Sequence, residues 1–235
     1  MKSLTRILAI TIAVVAFATL TTKASRIEDR HLSGFNAITL SASYDVYITQ
    51  GTAESVKVEA SDEDQEHIIT EVIGGVLNIH EKHNGGLHWS WGDKKQVVYV
   101  VARDINSISI SGSGDVFFKS GINTTNMKIR ISGSGDIVGR LTAKTLEASI
   151  SGSGDVRLSG RADNSNVRVS GSGDFEGRDL VTVSTTVRVV GSGDATVNAS
   201  IKVDAAVSGS GDISYTGGAK QVSTSKAGSG DIHRM

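Results

Sequence analysis

The chain of 235 residues contains no cysteine and no proline, and only 5% of its residues are aromatic. Without cysteine there are no disulfides, no thiolate metal ligands and no lipid-modified cysteine after a leader peptide. A conventional globular protein of this length would use more large apolar side chains. A β-solenoid needs fewer, because its narrow core is filled by stacked Val, Ile, Leu and Ala. The 27 glycines are the most conspicuous residues that are present.

Residues 1–24 have the pattern of a secretory signal peptide. Lys2 and Arg6 form a positive start, an apolar run extends from Ile7 to Leu20, and residues 22–24 (Thr-Lys-Ala) offer a cleavage site. A membrane anchor is the alternative, but this run has 14 residues, fewer than the roughly 20 that a membrane span needs. We therefore predict export to the periplasm, the outer surface or the medium, without membrane insertion after cleavage.

The charge balance argues against nucleic acid and anionic membranes as partners. The whole chain has 24 basic and 25 acidic residues. Cleavage after residue 24 removes Lys2, Arg6 and Lys23 and no acid, which leaves 21 basic against 25 acidic residues. A mildly acidic exported chain without clusters of basic residues is a poor candidate for binding either surface.

A five-residue motif, Ser-Gly-Ser-Gly-Asp, dominates the second half of the chain. It first occurs at residues 111–115, and in two later copies Val190 or Ala227 replaces the first serine. Its seven aspartates are 21, 19, 19, 20, 18 and 19 residues apart: Asp115, Asp136, Asp155, Asp174, Asp194, Asp212 and Asp231. Such spacing predicts an all-β fold, a β-solenoid with coils of about 19 residues.

The residues around each motif alternate in the way expected of extended chain. In the first copy Ile108, Ile110 and Val116 share one parity with the glycines, while the serines and Asp115 share the other. Carried straight through, this pattern places the glycines in the core and the serines and aspartate outside. Alternatively the glycines mark a bend or bulge, since glycine permits one. Lys226 replaces the core Val of earlier copies, which predicts a solvent-exposed final coil.

The region before the repeats is less regular. Period-2 alternation predicts strands over 37–40, 46–49, 56–59 and 76–79, and an apolar run over 96–102 predicts a buried strand. Residues 41–46 resemble a degenerate copy of the motif, with Ala42 and Tyr44 where the glycines stand. We expect a linker over 25–34 and a single domain over 35–235. Its coils are irregular over 35–104 and regular over 105–235.

A column of stacked aspartates needs an explanation, because neighbours at the strand spacing of about 4.8 Å repel by about 0.9 kcal/mol in water. One hypothesis is structural: each carboxylate accepts hydrogen bonds from backbone N–H groups of its own turn, and serine hydroxyls form ladders between coils. The other is calcium, which suits carboxylate oxygens. Calcium-binding nonapeptide repeats recur every nine residues, whereas here each coil supplies one aspartate. All seven motif aspartates are candidate ligands.

The segment 83–93 holds both tryptophans and is the candidate recognition loop, with His88, Trp89 and Trp91 as its ligand-binding residues. The alternative is a hairpin tip whose indoles fold back over the core, as amphipathic tryptophans often do. His80, His83 and His88 suggest a metal by residue type, but their spacing fits no fixed ligand pattern.

The chain resembles the bacterial family described as "putative auto-transporter adhesin, head GIN domain". The resemblance rests on the leader, on residues 35–38 (Phe-Asn-Ala-Ile), on 44–51 (Tyr-Asp-Val-Tyr-Ile-Thr-Gln-Gly), on 75–79 (Gly-Val-Leu-Asn-Ile) and on the run of Gly-Ser-Gly-Asp motifs. It covers about residues 30–235. It implies a right-handed, single-stranded β-helix exported by bacteria with an outer membrane. The family supplies no catalytic residues to transfer.

An enzyme that acts on polysaccharides is a further alternative, because right-handed β-helices include lyases and hydrolases. Glycoside hydrolysis needs a distinct pair of carboxylates, and seven equivalent aspartates single out no pair. Lyase chemistry needs a poised base, and Arg130, Arg157, Arg168 and Arg188 form no evident cluster in the sequence. We therefore expect no catalytic residues and no cofactor. We predict a non-enzymatic envelope or surface protein that binds a surface polysaccharide, a host or neighbouring cell, or itself, with a calcium- or glycan-binding module as the alternative.

Overall fold

The structure, a computed structural model, describes residues 25–82 and 96–235. These residues form one 17-stranded sheet, wound into a β-solenoid of about seven turns with about 19 residues per coil, as the motif spacing predicts. The strands are β1 (Arg26–Asp29), β2 (Ala37–Ser41), β3 (Asp45–Gln50), β4 (Ser55–Ala60), β5 (Ile68–Ile73), β6 (Val76–Glu81), β7 (Val97–Ala102), β8 (Ser107–Ile110), β9 (Val116–Phe118), β10 (Ile122–Ile131), β11 (Ile137–Gly152), β12 (Val156–Gly171), β13 (Phe175–Gly191), β14 (Ala195–Gly209), β15 (Ile213–Thr216), β16 (Gln221–Gly228) and β17 (Ile232–Arg234). One helical turn, α1 (Asp62–Gln65), lies between β4 and β5.

The regular coils stack in parallel and almost without slippage. Across β11 and β12, fifteen residue pairs run in register from Ile137–Val156 to Gly152–Gly171. The register shifts between Arg157 and Gly160 and again along β13 and β14. The shifts lie between motifs, so the one-residue differences in coil length do not disturb the stacking of the motifs themselves.

The core consists of aliphatic columns that run along the solenoid axis. One column comprises Leu40, Ile110, Ile131, Ile150, Val169, Val189 and Val207, all buried. Burial alternates along most of the length of β8–β14, as the sequence periodicity predicts. The column ends at Lys226 in β16, and every residue of β16 is exposed. The predicted exposure of Lys226 is thus confirmed.

The order of coils in space differs from their order in the chain. The first coil in chain order, which consists of β2 and β3, lies in the middle of the N-terminal region. Strands β8 and β9 pair with it on one side, and β6 and β7 pair with it on the other, all in parallel. This register places Ala42 and Tyr44 opposite Gly112 and Gly114, which supports the interpretation of residues 41–46 as a degenerate motif.

Antiparallel strands cover the N-terminal end of the solenoid. Strand β5 pairs with β6, β4 with β7, and β1 with β4. Strand β1 falls within the segment 25–34 that the sequence predicts to be a linker. Its polar composition gives no strand signal. The strand forms because Arg26–Asp29 pairs with Lys57–Ala60, and because Arg30 bonds to Gln65 beyond it.

Candidate functional site

Each Ser-Gly-Ser-Gly-Asp motif forms the corner between two strands of a coil. In the motif copy at residues 170–174, the first glycine, Gly171, has φ of +133°, and the second, Gly173, is buried. The two serines of the motif point to solvent. Both hypotheses for the glycines therefore contain part of the answer: inward parity continues through the motif, and the chain also bends there.

The stacking of coils explains why these corners require glycine. A Cβ placed on Gly173 would lie well inside 3.0 Å of the carbonyl oxygen of Gly154 in the coil before it. The second glycine of every later motif meets the same obstacle. Backbone therefore packs directly on backbone at the corners, and any side chain would force the coils apart.

The motif aspartates form a hydrogen-bonded ladder along the solenoid. The backbone N–H of Asp174 donates to Oδ1 of Asp155 at 2.9 Å, and that of Asp194 donates to Oδ1 of Asp174 at 2.7 Å. Four further rungs of 2.7–2.8 Å connect the remaining aspartates in the same way, from Asp115 to Asp136, Asp136 to Asp155, Asp194 to Asp212 and Asp212 to Asp231. Each carboxylate except the last thus accepts an amide proton from the following coil.

This ladder offsets the repulsion between the stacked carboxylates. The structural hypothesis correctly expected backbone N–H donors, but it placed them in the wrong coil. The donor amide belongs to the next coil instead of the aspartate's own turn, because the corner presents its N–H groups along the axis. At the first turn of the ladder, burial raises the pKa of Asp45, and the nearby Asp115 charge raises it further, while the Asp115 backbone opposes both. At the other end, the Ile232 backbone and Lys226 lower the pKa of Asp231.

A serine hydroxyl hydrogen bond connects two coils at the N-terminal end of the stacked motifs, where Oγ of Ser41 and Oγ of Ser111 lie 2.8 Å apart. Within the described residues, no group of three or more His, Asp or Glu side chains is arranged to hold a metal ion. Calcium binding by the seven aspartates stays a prediction.

The predicted recognition residues His88, Trp89 and Trp91, together with His83, lie outside the described residues. The remaining histidine of that group, His80, lies on β6, with Nε2 3.4 Å from Oε1 of Glu71 on β5. His80 is therefore part of the antiparallel hairpin at the N-terminal end.

An aromatic stack on the outer surface of β7, β3 and β9 is absent from the sequence-based predictions. The Tyr47 ring stacks between Tyr99 and Phe117, with ring centroids 5.7 Å and 5.1 Å away. Lys119 Nζ lies 4.9 Å from the Tyr47 ring centroid, and the Tyr99 hydroxyl donates to Glu59 at 2.6 Å. The rings face one another, so they hold the N-terminal coils together. The sequence does contain a sign of this stack, one aromatic residue at the same outward position of each of three strands. It can be recognised only once the pairing of those strands is known.

A polar cleft of about 770 Å³ opens beside the start of β10. Its lining combines amide, hydroxyl and charged side chains with one methionine: Asp104, Asn106, Ser107, Asn123, Thr124, Thr125, Asn126, Met127, Lys128, Thr145 and Glu147. Amides and hydroxyls offer both donors and acceptors, so the cleft suits a polar ligand such as a carbohydrate better than an apolar one.

Comparison with known proteins now identifies the family. Residues 34–219 match the family described as "Putative auto-transporter adhesin, head GIN domain". The chain belongs to this family. The match confirms the resemblance seen in the motifs and associates the protein with cell-surface or exported proteins. Among the described residues no helix has the length and apolar character needed to cross a membrane. Curated proteins yield no match.

Solved structures of similar fold come from Bacteroides and Parabacteroides species. A "putative adhesin" of Bacteroides fragilis is 29% identical, with a TM-score of 0.86 over 91% of this chain and 98% of the other. A "putative lipid binding protein" of Parabacteroides distasonis is 23% identical over 91% of this chain and 98% of the other, with a TM-score of 0.73. A "putative adhesin" of the same organism is 21% identical, with a TM-score of 0.75 and the same coverage. The latter two show the fold alone.

Proposed function

We propose that this protein is an exported, non-catalytic binding module of the cell envelope or cell surface. Its ligand is a repetitive surface polymer, which it contacts through the outer faces of its coils. The observation that carries this proposal is the periodic polar surface: equivalent outward residues of neighbouring coils lie in register over most of β11–β14. A surface that repeats at about 4.8 Å favours an extended, repeating ligand over a single small molecule.

Two features favour binding over catalysis. First, one oxygen of each motif aspartate except Asp231 accepts a backbone amide proton, so these carboxylates serve the stacking of coils. Second, the aspartates are equivalent along the column, whereas a catalytic pair needs two carboxylates in different environments. The adhesin names of the family and of the B. fragilis neighbour agree with a binding role.

The lipid-binding name of one neighbour raises the question of an apolar ligand. In this chain the axial core is occupied by stacked side chains such as Ile131, Ile150 and Val169. The cleft beside β10 is lined mostly by polar groups. These observations favour a polar polymer.

A deletion strain tests the proposal. We expect loss of the protein to reduce attachment or biofilm mass, and re-expression of the full chain to restore it. Whole-cell protease accessibility then reports the location. A protein that stays in the periplasm, in cells whose attachment is unaltered, would contradict the adhesin role.

A further inference from the structure

Three arginines that are dispersed in the sequence lie in one row on the outer surface of the solenoid. The strand register aligns Arg130 with Ser149, Ser149 with Arg168, and Arg168 with Arg188. We call these four residues the arginine row. Each arginine is flanked in its strand by two buried aliphatic residues, so its side chain points away from the core. All three arginines are exposed.

The arginine row is unfavourable for the fold taken alone. Arg168 and Arg188 occupy directly opposed positions of neighbouring strands, where like charges are destabilising. None of the three arginines forms an ion pair with a residue in the described ranges. The adjacent outward column carries two acids, Glu147 and Asp204, and Glu147 lies 3.8 Å from Lys128. By contrast, Arg157, near the start of the strand β12 that also carries Arg168, is paired with Glu176 at 3.0 Å. The row thus presents guanidinium groups without internal counter-ions.

Hydroxyl groups run parallel to this row. Two residues after Arg130, Ser149 and Arg168 are Ser132, Ser151 and Ser170, which are exposed and which we call the serine row; the corresponding position after Arg188 is the exposed Val190, where the serine row ends. Arginine offers paired N–H donors that match a carboxylate or sulfate. A serine hydroxyl both donates and accepts, as sugar hydroxyls require. A row of each, repeated at the strand spacing of about 4.8 Å, matches a polymer with an acidic group and free hydroxyls in each sugar unit.

We propose that the arginine row, with the serine row beside it, binds an acidic polysaccharide laid along the solenoid axis. This inference rests on the proposed function and names its ligand class. Two alternatives fit less well. Nucleic-acid binding by single strands uses aromatic stacking platforms within a basic groove, and the strand segments 126–132, 145–151, 164–170 and 184–190 contain no aromatic residue. An anionic membrane is a planar surface and would also meet the acids of the adjacent outward column, Glu147 and Asp204, whereas a single polymer chain can follow the arginine row alone.

The experiment uses the purified chain from residue 25 onward, with polygalacturonate as the acidic polymer and dextran as the neutral one. The test variant replaces Arg130, Arg168 and Arg188 by serine, the residue that the row already carries at position 149. The matched control replaces Arg140, Arg161 and Arg178 by serine. These are also exposed, lie on other stretches of the coil, and change the net charge equally. Thermal unfolding of both variants verifies the fold.

We expect the wild-type protein to bind polygalacturonate, and the row variant to lose affinity at least about tenfold, or 1.4 kcal/mol. The control should lose less than about twofold, and wild-type binding should weaken as salt screens the charges. The proposal is overturned if wild-type protein does not bind polygalacturonate at low salt, or if the row variant binds as well as wild type. It is also overturned if oligothymidylate or phosphatidylglycerol vesicles bind as tightly.

The same variants separate this inference from the proposed function. If the deletion strain loses attachment, and the row variant restores it without binding polygalacturonate, the arginine row has no part in adhesion and this inference fails alone. If the deletion leaves attachment unaltered while the purified protein binds polygalacturonate through the row, the adhesin role fails and the ligand assignment stands.

Discussion

The coils after residue 105 and the region before it achieve the same stacking by different means. In the regular coils the corners bring backbone against backbone, and glycine pairs such as Gly171 and Gly173 make that approach feasible. Before residue 105 the corresponding positions are Ala42 and Tyr44, and antiparallel strands cover that end instead. The regular coils are held by repeated main-chain bonds, whereas the N-terminal region depends on particular side chains.

The buried polar cluster around α1 illustrates this second means. Ser61 caps the helical turn and bonds to Asp64, and Gln65 donates to the carbonyls of Arg26 and Val58 at 2.8 Å and 2.9 Å. Arg30 in turn donates to Gln65 Oε1 at 2.7 Å. None of these bonds recurs in another coil of residues 25–82 and 96–235. The comparison teaches that internal coils can share one corner structure, because each has a neighbour on both sides, whereas the end of a solenoid needs its own set of side-chain contacts.

The largest expected effect is at a glycine corner. Gly173→Val would place side-chain atoms against the Gly154 carbonyl, so we expect a loss of about 3 kcal/mol or more in the free energy of unfolding. Urea denaturation measures it. Gly121→Ala is the matched control, because its Cβ would meet no atom closer than 3.8 Å; we expect it to be neutral or slightly stabilising. Equal stability of wild type and Gly173→Val would refute the backbone-contact explanation.

The next effect concerns the N-terminal cluster. Gln65→Leu removes the side-chain bonds to Arg26, Val58 and Arg30 and leaves buried groups without partners, so we expect a loss of about 2 kcal/mol. Asp62→Asn, on the exposed side of the same turn, should change stability by less than about 0.5 kcal/mol. If both substitutions cost the same, the cluster does not hold this end of the solenoid.

A smaller effect is expected in the aspartate ladder. Asp174→Ala leaves the Asp194 amide without its carboxylate acceptor, at a cost of about 1 kcal/mol. Asp174→Asn keeps a side-chain carbonyl in the same place and should cost less. Ser172→Ala, in the same motif but exposed, serves as the control. The same denaturation series with added calcium and with EDTA tests the calcium hypothesis: a wild-type midpoint that is unchanged by excess chelator contradicts it.

The smallest effect appears only in alkaline solution. Burial, and then the charges of Glu81 and Asp64, raise the pKa of Tyr44 to about 12, against about 10 for an unperturbed phenol. The folded state therefore holds this proton more tightly than the unfolded state, so stability is intact below pH 10 and falls as the pH rises towards 12. Tyr44→Phe should remove part of this decline, which is measured as the urea midpoint between pH 9 and 11. Parallel declines in wild type and Tyr44→Phe would contradict the role of Tyr44.

Much of the regular region could be predicted from the sequence, because repeats of nearly constant length form coils of equal size that stack on one another. The motif spacing predicts the coil length, and the alternation around Ile108 and Ile110 predicts which residues are buried. The N-terminal order could not be predicted in the same way. Nothing in the local pattern indicates that β2 and β3 lie between β6–β7 and β8–β9, since strand pairing over long separations depends on the whole set of competing partners.

The candidate site shows the same division. The aspartate column is visible in the sequence, but the donor that satisfies each carboxylate is not, because it belongs to the next coil. Arg130, Arg168 and Arg188 form no cluster along the chain. They come together only because the coil length returns them to one outward column.

The sequence by itself determined the solenoid, its period, its buried columns and the exposed Lys226 at its last coil, because each of these follows from local alternation repeated at a constant interval. Only the tertiary structure decided why the corners require glycine, which amide binds each aspartate, and which charges share a face. These depend on the distance and register between coils, and residues about 19 positions apart become neighbours only after the chain has wound upon itself.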